Sequence, residues 1–222
     1  MVLVVAIRYS YSKLALIESV MGLLILVGIV VFLRASQRWQ ATQKYIGMPQ
    51  RAALSGIALG GLWLVEISIN NFIAPPLPGR DIIDNIFWAV IACSILALAT
   101  GSAFRTQSIL QGIKSGAWSG LASGLLACCT ALSIITFAMA FILRDPLNIT
   151  EWAARQAESA APSMAAYFAY ETFAGAFLHL IVLGIGMGGL LGILGGITGK
   201  CASCASVFFG RNKGAAQIEK PG

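Results

Sequence analysis

Two ionisable side chains lie deep inside apolar stretches of this sequence. Glu66 precedes Ala74, the end of one apolar block, by eight residues, and His179 follows Glu171 by eight residues in another. At 1.5 Å per residue, each lies about 12 Å from the end of its helix. A carboxyl group and an imidazole at that depth are costly in lipid, and both can take up protons or bind cations. They predict a polar site if the two helices touch.

Further polar side chains lie near this level. Asn70 shares the helix face of Glu66 at i+4, while Asp84 and Glu171 lie near the ends of their own apolar blocks. Together with Glu66 and His179 they predict a pocket that faces outward. The alternative is structural, with a protonated Glu66 hydrogen-bonded to His179 or an asparagine and with Asp84 and Glu171 solvated at the membrane interface.

The same sequence argues against an enzyme or a metal centre. The chain has one histidine, which leaves no HExxH or multi-histidine zinc site, and it has no GxSxG motif. Its five cysteines include one CxxC, Cys201 and Cys204, which alone is a weak metal or redox signal. We therefore expect no catalytic residue, no bound metal and no cofactor.

The composition identifies the class of protein that must position these side chains. The 222-residue chain is 58% hydrophobic and 11% charged, with a mean hydropathy of +0.81, well outside the range of water-soluble proteins. Five apolar blocks are long enough to cross a bilayer, near residues 14–33, 52–73, 82–104, 115–143 and 168–198. The predicted fold class is an all-α integral membrane protein, a bundle of about five transmembrane helices within residues 1–204. Residues 205–222 are predicted to form a disordered cytoplasmic tail.

The basic residues predict the orientation of this bundle. Lysine and arginine concentrate in the 34–51 and 105–114 segments and in the tail, whereas every acidic residue except Glu219 lies toward the opposite side. Cytoplasmic loops carry the Lys/Arg excess, so we expect the N-terminus outside and the C-terminus in the cytoplasm of a plasma (inner) membrane. The 34–51 loop should contact anionic lipid headgroups. Because the net charge of +6 flanks apolar blocks, we expect no nucleic-acid binding.

The longest external segment is predicted at 144–167. Asn148 followed by Glu151 has the pattern of a helix N-terminus, with Asn148 as the N-cap. We expect a short interfacial helix there, with Trp152 at the lipid headgroups.

Two rows of glycine recur at every fourth position. Spacing of four places each row along one helix face, where missing side chains let two backbones approach closely in lipid. Both rows fall in the predicted cytoplasmic half of the bundle, so they are positioned to meet as a glycine zipper. Contact with a second copy of the chain, or with another membrane protein, is the alternative. The rows are Gly112, Gly116, Gly120 and Gly124 in one block, and Gly184, Gly188, Gly192 and Gly196 in the next.

Two functional hypotheses follow from these features. The first is a non-enzymatic accessory or scaffold component that assembles through its glycine faces. The second is a small proton- or cation-coupled transporter with an outward-facing pocket around Glu66 and His179. Transporters often place such residues near the midplane beside broken helices. Here the two residues are off-centre and no span contains an interrupting proline, which favours the first hypothesis.

Overall fold

A computed structural model describes the backbone of residues 47–218 and of Val27. The described part of the chain is helical, and four of its helices are long and apolar enough to cross a membrane: Arg51–Ile73, Gly79–Thr106, Ile109–Phe137 and Met164–Ser206. These match the last four predicted spans, so a multi-pass helical architecture is confirmed to that extent. The predicted first span at 14–33 lies outside the described residues apart from Val27, as does most of the 34–51 loop.

The first two long helices are joined by a proline-rich turn. Helix α1, Gly47–Ser68, continues into a π-helical segment, Ile69–Ile73, which ends where Ala74 adopts a left-handed conformation with φ of 50°. Pro75 and Pro76 follow and cannot continue the helix. Helix α2, Gly79–Thr106, then runs back and ends at Gln107, which is also left-handed, with φ of 52°.

Helix α3, Ile109–Phe137, lies at the centre of the bundle, where it packs against the long helices on all sides. It begins six residues before the predicted span 115–143, because Ser108 is extended and nothing after it interrupts the helix. It also ends earlier than predicted, since Ala138 leaves the helical region at φ of −128°. The remainder of that span is a separate short helix, α4, Met139–Ile142.

The short helix predicted within residues 144–167 is present, but the prediction of Asn148 as its N-cap is wrong. Helix α5, Pro146–Ser159, begins after Asp145, whose carboxylate accepts a hydrogen bond from the Leu147 amide at 3.1 Å. Proline is favourable at the first position of a helix, because the backbone N–H that it lacks would have no partner within the helix there. Asn148 lies inside the helix and donates to the Ile142 carbonyl at 2.9 Å.

The last span is one continuous helical run. Helix α6, Met164–Leu178, starts after Ser163, whose hydroxyl accepts from the Ala166 amide at 3.2 Å. A second π-helical segment, His179–Met187, leads into helix α7, Gly188–Ile218. Residues 205–218 therefore have helical backbone where the sequence predicts a disordered tail. The first proline after Pro162 is Pro221, so no helix-breaking residue intervenes.

Candidate functional site

The side-chain amide of Asn70 joins two carboxyl groups from different helices. Its Nδ2 donates to Oε1 of Glu66, one turn earlier in α1, and to Oδ1 of Asp84 in α2, both at 2.6 Å. Because the two oxygens lie 2.6 Å from the same nitrogen, they are at most 5.2 Å apart. We call Glu66, Asn70 and Asp84 the carboxylate bridge.

The side chains of the carboxylate bridge are buried or half-buried. The Glu66 side chain is buried, with 6% of its surface exposed, while Asn70 and Asp84 are half-buried. The other polar atom of the Asn70 amide, Oδ1, is buried and has no hydrogen-bond partner among the described residues. Carboxyl and amide oxygens are the ligands that hard cations prefer. The bridge thus gathers oxygen ligands, one of which is not otherwise engaged.

The first π-helical segment positions Asn70. It begins at Ile69, directly before Asn70, and its wider turn closes with a hydrogen bond from the Ala74 amide to the Ile69 carbonyl at 3.1 Å. The neighbouring Asn71 faces its own helix, donating to the Ile67 carbonyl at 2.8 Å. Single π-turns inside α-helices occur frequently at functional sites. The backbone irregularity in α1 therefore coincides with the residue that connects the two carboxyl groups.

His179 lies in an aromatic cluster with Trp63 and Trp88. Its ring is 5.7 Å from that of Trp63 and 6.1 Å from that of Trp88, and the two tryptophan rings are 5.2 Å apart, nearly perpendicular. Nδ1 of His179 is 2.7 Å from the Gly175 carbonyl. Because a carbonyl only accepts, this nitrogen carries the proton. The second π-helical segment begins at His179.

The aromatic cluster and the carboxylate bridge are adjacent along both helices. Trp63 precedes Glu66 by three residues in α1, and Trp88 follows Asp84 by four in α2, so each tryptophan lies about one turn deeper on the same face. Trp63 is buried, with 1% of its surface exposed, and its Nε1 has no hydrogen-bond partner among the described residues. The structure thus surrounds His179 with indole rings, and the described partners of Glu66 are Asn70 and Asp84.

Glu171 lies apart from this arrangement. Its side chain is exposed on α6, two turns before His179, and no hydrogen bond described for the bridge includes it. Near the proline-rich turn, Arg80 instead forms an ion pair of 2.9 Å with Asp145, which is 4% exposed. This pair links the start of α2 to the start of α5.

The two glycine rows face each other within the chain. An added Cβ on one row would clash with the backbone of the other, because α3 crosses the second π-helical segment and α7 with almost no space between them. The distances from that Cβ to the opposite Cα are 2.6 Å for Gly112 to Gly196, 2.5 Å for Gly116 to Gly192, 2.7 Å for Gly120 to Gly188 and 3.1 Å for Gly124 to Gly184. The order of these contacts is antiparallel. Gly189 follows Gly188 in sequence but lies outside the row, and a Cβ added there would have no atom within 4 Å.

Sequence reasoning missed the tryptophans and the contact between Asn70 and Asp84, whereas the hydrogen bond between Glu66 and Asn70 agrees with its alternative of an asparagine as the partner of Glu66. The spacings from Glu66 to Trp63 and from Asp84 to Trp88 are helical and could have placed both tryptophans on the faces of the carboxyl groups. The contact between α1 and α2 through Asn70 has no such local signal.

The described residues thus form a helical bundle with four helices long and apolar enough to cross a membrane, and two carboxyl groups from different helices are joined by one amide within it. Comparison with protein-family models, curated proteins and solved structures finds no match to this chain.

Proposed function

We propose that this chain is a small proton- or cation-coupled transporter whose binding site is the carboxylate bridge. The observation that carries the proposal is the Asn70 amide, which holds Glu66 of α1 and Asp84 of α2 at 2.6 Å each. A site shared between two helices can respond to their relative position, as coupling of an ion to transport requires.

Electrostatics explain why such a site would take up a positive charge. Two unit negative charges about 5 Å apart repel by on the order of 3 kcal/mol at an effective dielectric constant of about 20. One proton or one monovalent cation removes most of that repulsion. Within the described residues no group of three or more His, Cys, Asp or Glu side chains could hold a metal ion. Two carboxyl groups with one amide suit a singly charged ligand.

The helix interruptions support transport over a purely structural role. The lack of an interrupting proline argues against a transporter, but each of the two spans contains a π-helical segment, one at Asn70 and one beginning at His179. Such π-helical segments inside longer helices occur frequently at functional sites. In this proposal the bridge opens toward the outer side, and the aromatic cluster lies between it and the tightly packed glycine rows.

The accessory or scaffold hypothesis loses part of its support. Its main argument is the pair of glycine rows, and these pack against each other inside one chain. A homo-oligomer or a complex with another membrane protein would need a different surface, such as the open face at Gly189. Contact of the 34–51 loop with anionic headgroups and the outside position of the N-terminus remain part of the proposal.

The proposal is tested by charge displacement in proteoliposomes adsorbed on a solid-supported membrane. A jump in proton or sodium concentration should drive a transient current as charge enters the site. Glu66→Gln should abolish that current, because it removes an ionisable oxygen while preserving side-chain size. Glu171→Gln is the matched control, since Glu171 is exposed, and should leave the current within about twofold. Equal currents from wild type and Glu66→Gln would contradict the proposal.

A further inference from the structure

A cleft of about 210 Å³ opens between α1, α2 and α3 at the end of the bundle predicted to be cytoplasmic. Arg51 of α1 and Arg105 of α2 line it, and both side chains are exposed. Its volume is below the range of about 300–1,000 Å³ typical of pockets for drug-sized ligands. The cleft therefore suits a small anionic group.

The other lining residues complement the two arginines. Ser55 and Ser115 contribute hydroxyl groups, while Ala52 and Leu98 provide an apolar wall. Ser102 also lines the cleft, and its hydroxyl donates to the Gln111 carbonyl at 3.3 Å, which joins α2 to the start of α3. Guanidinium and hydroxyl groups are the donors that commonly bind phosphate oxygens.

The two arginines have no carboxyl group near them in sequence, and the acidic residues of their own helices, Glu66, Asp81 and Asp84, lie toward the other end of the bundle. The chain contains no Asp or Glu from 67 to 80 or from 85 to 144, and none from 19 to 65. Helix α7, which packs against α2 and α3, contains none either. A cation at the C-terminal end of α2 is stabilised by the helix dipole, which accounts for Arg105. The dipole does not account for Arg51, which lies near the start of α1 where an anion is favoured.

We infer that this cleft binds a phosphate group, held between Arg51 and Arg105. A basic pocket between transmembrane helices on the cytoplasmic side is the expected setting for an anionic lipid headgroup. The apolar wall would then contact the glycerol and the first acyl carbons. A soluble phosphate monoester has the same anionic group without the acyl chains. The site is distinct from the carboxylate bridge, and the inference rests on the proposed function only for the orientation of the bundle and the contact of residues 34–51 with headgroups.

Lipid binding to the purified protein tests the charge requirement. Native mass spectrometry in neutral detergent would measure dissociation constants for phosphatidylglycerol, phosphatidylcholine and glycerol 3-phosphate. The double variant Arg51→Gln with Arg105→Gln should weaken phosphatidylglycerol binding about 30-fold, since each basic residue at a headgroup contributes roughly fivefold. Lys200→Gln is the control at the same end of the bundle and should change binding less than twofold. An equal loss in Lys200→Gln and in each single arginine variant would mean nonspecific attraction and would overturn the inference.

A second variant tests the cleft itself without altering charge. Gly101 lines the cleft, and an added Cβ there has no atom within 4 Å. Gly101→Leu should therefore fold normally while occupying the space, and should weaken phosphatidylglycerol binding at least tenfold. Gly189→Leu, also in open space, is the control and should bind as wild type does. Unchanged binding in Gly101→Leu would overturn the site.

The soluble probe distinguishes the two sources of phosphate. If glycerol 3-phosphate binds weakly while phosphatidylglycerol binds tightly, the ligand is a lipid headgroup. If glycerol 3-phosphate displaces the lipid, and if the arginine and Gly101 variants weaken its own binding, the ligand is a soluble phosphate compound. Phosphatidylcholine binding as tightly as phosphatidylglycerol, with no effect of the arginine variants, would overturn the phosphate site.

Discussion

Replacing Gly116 with alanine is expected to lower the free energy of unfolding by about 3 kcal/mol, although the change adds a single methyl group. The new Cβ would lie 2.5 Å from the Gly192 Cα and 2.7 Å from the Gly188 carbonyl oxygen. Both contacts are backbone atoms, which cannot rotate aside as a side chain could. The helices α3 and α7 would have to separate, and neighbouring contacts along both rows would loosen.

Gly189→Ala is the matched control for this prediction. Gly189 lies next to the same row in α7, but an added Cβ there meets no atom within 4 Å. Because glycine is a poor helix former, alanine should leave stability unchanged or raise it by up to about 1 kcal/mol. Reversible unfolding in mixed micelles measures both variants. The same loss in both would contradict the packing described here, and a lost oligomer with unchanged unfolding in Gly116→Ala would favour assembly through the rows.

The second large effect is expected at Asp84. Asp84→Asn should weaken proton or cation uptake at the bridge about 100-fold, because it removes the repulsion between the two carboxylates, on the order of 3 kcal/mol, that a bound proton or cation relieves. The asparagine preserves the size of the side chain, so packing around α2 should change little. The titration of transient current against ion concentration gives the apparent affinity directly.

Asp81 provides the control for Asp84. It is acidic, exposed and lies in the first turn of the same helix, so Asp81→Asn removes the same charge outside the bridge. Its effect on apparent affinity should be less than about twofold. If Asp81→Asn and Asp84→Asn weaken uptake equally, the negative charge at the start of α2 matters and the bridge does not.

The long helices and the two glycine faces could be predicted from the sequence because both depend on local periodicity. An apolar block of about 20 residues defines a span wherever it occurs. Glycines at spacing of four define one face, although the spacing does not say which glycines of the two rows pair. The structure brings these residues into contact in the antiparallel order that two opposite chain directions require.

The composition of the site could not be predicted in the same way. The depth of Glu66 and the i+4 position of Asn70 are visible in the sequence, but the contact of Asn70 with Asp84 depends on which helices touch, and no local pattern records it. No proline lies in either π-helical segment, so the sequence gives no sign that the two helices are irregular there. Similar depth predicts that His179 meets Glu66 only if their helices touch. Its ring contacts Trp63 instead, one turn away from Glu66.

Some local errors had signals that were available. Asp145 followed by Pro146 is a common start for a helix, and it competes with the Asn148 pattern three residues later. Asp145 prevails in the structure, where it caps α5 and also pairs with Arg80. A carboxylate that serves two partners is better satisfied there than an asparagine would be.

The most direct test of the central claim is difference infrared spectroscopy of the carboxyl groups in lipid-reconstituted protein. The claim is that Glu66 and Asp84 act as one site. The carboxyl band that disappears in Glu66→Gln should therefore shift in Asp84→Asn, keep its position in Asp81→Asn, and change when protons or sodium are added. If the Glu66 band keeps its position in Asp84→Asn and does not change when protons or sodium are added, a shared binding site is contradicted. Asn70 would then be a structural hydrogen-bond donor.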